Sequence, residues 1–166
     1  KHMVGMQSIF LAVLAYKISI ERQNKSIAIG AVFHNRLTTS DKLRLNNVSG
    51  LYPCLISVDK TQTFIKLMQD VNDEIYSCYS HSKYPYDEAE LGAFNKQKIN
   101  DRNIDTVLNY HPFIENDSKN KNPIKVDLTT GNEDRLPIQI KIFSKKDFIY
   151  NIEIHLRSDM FDIDYA

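Results

Sequence analysis

The chain has 166 residues, 42% hydrophobic and 25% charged, a composition that suits one globular domain with a sizeable core rather than a disordered chain. Its 21 Lys and Arg balance 21 Asp and Glu, so no global field draws it to nucleic acid or to an anionic membrane surface. The longest apolar run, Ile9 to Ala15, falls far short of the ~20 residues that cross a bilayer, and the expectation is a cytoplasmic domain with no membrane span and no nucleic-acid partner.

The opening "KHM" reads as a cloning scar, which leaves residues 4–166 as a single domain. Met6, Ile9, Phe10, Val13 and Leu14 recur at helical spacing, and the pattern runs to about Arg22. Ile27 to Phe33 is apolar on both faces, as befits a central strand covered by helices on each side. Asn35 to Asn47 is polar and reads as surface loop, and "LYPCLISV" after it as a second buried strand, interrupted early by Pro53. Phe64, Leu67, Met68, Val71 and Ile75 form the clearest helical stripe, with Thr61 or Thr63 as its N-cap. A short helix is expected over Tyr86 to Phe94, a strand over Asp105 to Tyr110, and a mobile loop over Ile114 to Asn122. The last third alternates apolar and polar residues around Ile138, Ile140, Ile142 and then Phe148, Tyr150, Ile152, Ile154 and Leu156, which predicts antiparallel strands with one buried face. The fold class is therefore α/β, a mixed β-sheet flanked by helices.

Little chemistry is written in local motifs. Cys54 and Cys78 have no Cys-x-x-Cys or Cys/His ligand spacing, so free thiols are expected and no metal site. Five histidines occur, but no His-x-x-x-His and no Gly-x-Ser-x-Gly, and five glycines do not build a phosphate loop. His81 follows the long helical stripe, where an imidazole caps the last carbonyls; that reading is favoured over a catalytic base. Asn109 and His111 are read as tying down a strand end, and Arg36 as a cation that follows a buried strand directly and could clamp a loop through several donors.

The order of segments carries more. "IGAVFHNR" (Ile29 to Arg36), "SGLYPCLISV" (Ser49 to Val58), "HSKYPYDE" (His81 to Glu88) and "DRNIDTVLNY" (Asp101 to Tyr110) resemble, in that order, the C-terminal half of nonribosomal peptide synthetase condensation domains. The resemblance spans about Ile9 to Asp162. Its most specific piece is "HSKYPYDE", similar to the family's His/Asn-Gln-Asp-Tyr-Pro-Phe-Glu motif at His81, Tyr84, Pro85, Tyr86 and Asp87. Two departures stand out. "SGLYPCLISV" lacks the Asn and the Arg of the family's Gly-x-Phe-Val-Asn-Thr-x-x-x-Arg, and "FDIDYA" stops about where the family would begin a closing helix.

The resemblance implies one lobe of a chloramphenicol acetyltransferase-like fold, paired with an N-terminal condensation lobe that holds the catalytic His-His-x-x-x-Asp-Gly motif. It implies amide formation between carrier-bound donor and acceptor, and phosphopantetheine delivered by acyl or peptidyl carrier proteins rather than bound directly. On this reading the lobe has no catalytic residue of its own and is inactive alone. Arg36, Tyr52, His81, Tyr84, Pro85 and Asn109 would line the tunnel or fix its loops, and Lys83, Lys96, Lys98 and Arg102 would dock an acidic carrier. The alternative is a non-catalytic module of the same fold that binds a carrier or another partner.

Overall fold

The computed structural model describes residues 4–35, 39–43, 49–82, 104–112 and 136–160. Its first helix, α1 (Met6–Arg22), turns one stripe inward: Leu11, Ala12 and Ala15 are buried with Ser8 and Ser19. The two hydroxyls are spent internally, Ser8 Oγ donating to Asn72 Oδ1 at 3.0 Å and Ser19 Oγ to the Asn24 carbonyl at 2.6 Å, so their burial leaves no unpaired donor. Gln23 ends the helix in the left-handed region (φ 50), and the Asn24 side chain then accepts from the Ser26 amide at 3.0 Å. This Asx turn reverses the chain into the sheet.

The sheet has five strands in the order β2-β1-β3-β4-β5: β1 (Ser26–Phe33), β2 (Gly50–Ser57), β3 (Thr106–His111), β4 (Ile138–Ser144) and β5 (Tyr150–Leu156). Pairing is antiparallel at both margins, β1 with β2 and β4 with β5, and parallel between β1 and β3 and between β3 and β4. It is the mixed α/β arrangement expected from the sequence. The second long helix, α3 (Phe64–Ser80), follows β2; Thr63 caps it by accepting from the Lys66 amide at 3.3 Å, while Thr61 bonds Asp59 in the preceding turn.

Both long helices pack on one face of the sheet. Ile27, Ile29, Ala31 and Phe33 of β1, Tyr52, Cys54 and Ile56 of β2, Leu108 of β3 and Ile142 of β4 form a single core with Leu11, Ala12 and Ala15 of α1 and Leu67, Val71 and Ile75 of α3. Alternation puts residues of opposite parity on the reverse face. There Gly30 is forced: a Cβ would meet Leu51 Cδ1 and Val107 Cγ2 at 2.8 Å each, so neighbouring side chains occupy the space above it. The expectation of helices on both sides of β1 is met on one side among the described residues, by α1 and α3; on the reverse side of its middle the side chains of Leu51, Val107 and Ile104 lie nearest.

Three other expectations change. Pro53 does not interrupt β2, which runs unbroken and pairs Pro53 with Gly30. β2 is a sheet edge; the Leu55 amide points outward to Glu74 Oε1 at 2.9 Å, and Pro53, two residues away, places its missing N–H on that same open side, where no ladder bond is lost. Within the loop expected over Asn35 to Asn47, a one-turn helix, α2 (Thr39–Lys42), forms. Finally, β5 starts at Tyr150, with Phe148 in a 3-10 turn before it, and does not bury its apolar face: Ile152 and Ile154 are 52% and 62% exposed, while Tyr150 meets Phe10 of α1 edge-on at 5.2 Å. The helix expected over Tyr86 to Phe94 and the loop over Ile114 to Asn122 lie outside the described residues.

Candidate functional site

The C-terminal ends of the parallel strands β1 and β3 lie side by side, an end where open α/β sheets collect their functional groups. Directly after β1, Asn35 takes a left-handed conformation (φ 49), which a short amide side chain tolerates better than most. Its Nδ2 donates to Tyr52 Oη at 2.8 Å, and Tyr52 in turn donates to the Ser82 carbonyl at 2.5 Å. One buried phenol thus ties together the exit of β1, the edge strand β2 and the residue just past α3. Aromatic stacking supports it: Phe33 lies between Tyr52 (5.3 Å between ring centres, 15°) and Tyr79 (4.2 Å, 22°).

His81 sits at the C-cap of α3. Its backbone N–H bonds the carbonyls of Cys78 and Tyr79, and its Nδ1 lies 2.9 Å from the Ser77 carbonyl, to which the ring donates. Ser80 Oγ donates to that carbonyl at 2.7 Å and lies 2.9 Å from the same nitrogen. The exposed ring therefore satisfies one helix-end carbonyl, that of Ser77.

On the reverse face, Asn109 and His111 project from β3. The His111 ring stacks on Phe143 (4.7 Å, 9°) and lies 6.4 Å from the His34 ring at the end of β1. Burial lowers the His111 pKa below its usual 6.5, the charges of His34 and Lys141 push it the same way, and Glu153 opposes them. Two buried side-chain acceptors, Asn35 Oδ1 after β1 and Asn109 Oδ1 on β3, have no donor among the described residues. Unpaired buried carbonyl oxygens cost stability until a donor arrives, so each is chemically suited to accept from an N–H or O–H. A depression of about 190 Å³ lies elsewhere, among Ile18, Arg22, Ser26 and Asp105; there the Arg22–Asp105 ion pair at 3.1 Å already occupies the charges.

Of the residues singled out in the sequence, Tyr52, His81 and Asn109 fall in described segments. Tyr52 and His81 flank the end of α3, joined through Ser82, while Asn109 belongs to the reverse face. Arg36, Tyr84 and Pro85, with Lys83, Lys96, Lys98 and Arg102, lie outside the described residues. Sequence reasoning missed Asn35 and His34, although they adjoin Arg36. Only the parallel pairing of β1 with β3 sets His34 beside His111, and no local spacing encodes that.

The family profile described as "Condensation domain" matches residues 1–165. A plipastatin synthase protein of Bacillus subtilis (strain 168) is 27% identical over 113 residues, covering 68% of this chain and 4% of that protein. The starter condensation domain of rhizomide synthetase RzmA, solved as a mutant with C8-CoA and Leu-SNAC, superposes with a TM-score of 0.71 at 13% identity, over 96% of this chain and 36% of that one. An X-domain solved in complex with OxyB from teicoplanin biosynthesis superposes with a TM-score of 0.70 at 16% identity, over 96% and 36%. The chain thus spans about a third of the solved chains it matches and a small fraction of the curated relative. With the profile running from residue 1 to residue 165 over this five-stranded mixed sheet, the chain belongs to the condensation-domain family.

Proposed function

We propose that the chain is the C-terminal lobe of a nonribosomal peptide synthetase condensation domain and works with an N-terminal lobe that supplies the catalytic histidine. The observation that carries this reading is the profile match across nearly all of a chain that spans about a third of its structural neighbours. In the complete domain, two carrier proteins deliver thioesters on phosphopantetheine arms. The acceptor amine attacks the donor carbonyl, the C–N bond forms as the C–S bond breaks, and the donor carrier leaves as a thiol. Tethered delivery raises the effective concentration of both partners, so positioning supplies much of the acceleration.

This lobe contributes shape. Tyr52 and His81 hold the corner at the end of α3, with Arg36, Tyr84 and Pro85 as further loop-fixing residues. Asn109 offers an unpaired acceptor to an amide N–H of the arm or the peptide. Lys83, Lys96, Lys98 and Arg102 form the carrier-docking patch, whose contribution would weaken as salt rises. Free cysteines and the absence, among the described residues, of a helix long and apolar enough to cross a membrane suit a cytoplasmic assembly.

A single-turnover assay tests the reading. Loaded donor and acceptor carriers are mixed with the chain alone and with the chain joined to the rest of its domain; amide product only in the second case is expected. Product from the chain alone would overturn the assignment of a lobe without a base. The likeness to an X-domain solved with OxyB favours one second reading, a partner-binding module without condensation activity. Absence of product from the completed domain, together with retained carrier or protein binding, would select it.

A further inference from the structure

Cys54 and Cys78 stand far apart in sequence, yet β2 and α3 bring their sulfurs to 3.7 Å. Cys54 is fully buried in the middle of the edge strand, and Cys78 is half-buried in the last turn of α3. Both are free thiols. The Cys78 S–H donates to the Pro53 carbonyl at 3.4 Å, which leaves its sulfur to accept from Cys54. A disulfide closes at about 2.05 Å, so the two sulfurs, already in contact at 3.7 Å, have less than about 2 Å to close.

We propose that Cys54 and Cys78 are a dithiol–disulfide pair, an oxidation site that fastens the last turn of α3 to the edge strand β2 when it closes. The oxidant is a peroxide. The Cys78 thiolate attacks one peroxide oxygen, the O–O bond breaks, and the departing hydroxide takes up a proton as water, leaving a sulfenic acid on Cys78. The Cys54 sulfur then attacks the Cys78 sulfur; the S–S bond forms, the S–O bond breaks, and the departing hydroxide takes the Cys54 proton as a second water. Two thiols give up two electrons, and the peroxide accepts them.

The order of attack follows from the surroundings of each sulfur. The hydrogen bond from Cys54 favours the Cys78 thiolate and lowers its pKa, against burial and the Glu74 carboxylate 3.9 Å away. Cys54 is fully buried while Cys78 is partly open to solvent, so a peroxide reaches Cys78 first and Cys54, whose pKa is pushed up by its hydrogen bond to Cys78 and by burial, acts as the resolving thiol. Closure would stiffen the corner described above, because the same turn carries the His81 cap and leads to the Ser82 carbonyl held by Tyr52.

The test treats the whole chain with hydrogen peroxide and maps it without reduction. The expected result is a mass lower by two hydrogens, a peptide joining Cys54 to Cys78, reversal by dithiothreitol, and a Tm raised by about 5 °C or more through closure of the loop. Glu74→Gln, which keeps an amide oxygen for the Leu55 N–H, is expected to speed the linkage several-fold, because the carboxylate disfavours both thiolates; an unchanged rate would overturn thiolate attack as the route to the linkage. Cys54→Ser is expected to stop at a sulfenic acid that a dimedone reagent traps. Should that variant not fold, the wild-type peptide map decides. Oxygen added to either cysteine without linkage, linkage only between two chains, or linkage only in denaturant would each overturn the proposal.

Discussion

Under α1 and α3 the sheet presents Phe33, Tyr52, Leu108 and Ile142, all nearly or fully buried, while the reverse side of the same strands presents Asn109, His111 and Lys141 only partly covered. β3 alone shows the contrast, since Leu108 turns into the core and its neighbour Asn109 keeps a buried acceptor that has no donor among the described residues. The helix-covered face is stabilised by apolar area and close packing, so damage there is read as lost stability. The reverse face carries groups whose hydrogen bonding and charge are not closed within the described fold, so changes there are read in pH dependence and in binding.

The sharpest way to break this contrast is to empty the covered face. Phe33 is fully buried between two tyrosines, and Phe33→Ala is expected to cost about 3–5 kcal/mol in chemical denaturation. A loss under about 1 kcal/mol would mean that the stack is not part of the core. Gly30→Ala probes the middle of the reverse face. Its new Cβ would meet Leu51 and Val107 at 2.8 Å, and a cost of about 1–3 kcal/mol is expected as those side chains give way. A neutral or stabilising result would show that the reverse face is loosely packed at its centre as well as polar at its end.

The sequence displayed one of these faces better than the other. Helical spacing placed α1 and α3 to within a residue or two, because each buries a stripe that repeats with the helical period. Alternation found β4 and β5 but misjudged the face of β5, where Ile152 and Ile154 remain exposed: periodicity reports which residues share a face and is blind to whether a helix covers it. Pro53 misled for a related reason. A proline breaks a strand only where its N–H would be used, and β2 being an edge follows from strand order, which is non-local. At the candidate site, Tyr52 and His81 were found through a family motif and a helix end. The Asn35 acceptor, the His34–His111 pair and the Cys54–Cys78 approach needed the tertiary pairing.

Tyr52→Phe sits where the two regions meet, because Asn35 donates to Tyr52 with one atom of its amide and leaves the other unpaired. Removing the hydroxyl strands the Asn35 amide and the Ser82 carbonyl, at an expected cost of about 1–2 kcal/mol. In the complete domain the same change is expected to reduce condensation more than the stability loss explains. Equal losses in a denaturation curve and in the assay would assign the hydroxyl to structure alone.

The smallest effect is expected at His111, and it is read in pH. His111 binds its proton less readily in the folded chain than in the unfolded one, because burial, His34 and Lys141 all disfavour the cation and Glu153 only partly offsets them. At high pH both states are neutral and the residue contributes no difference. As pH falls below about 6.5 the unfolded chain protonates first and is favoured, so stability declines until the folded state also takes up the proton, below which the loss levels off. His111→Gln removes that window, and denaturation of the two proteins side by side between neutral and mildly acidic pH isolates the difference from the other histidines. Curves that converge as pH falls, with the wild type losing more, would place His111 neutral against Phe143 at physiological pH, ready to exchange a hydrogen bond with a bound amide. Parallel curves would assign the stacked ring to packing alone.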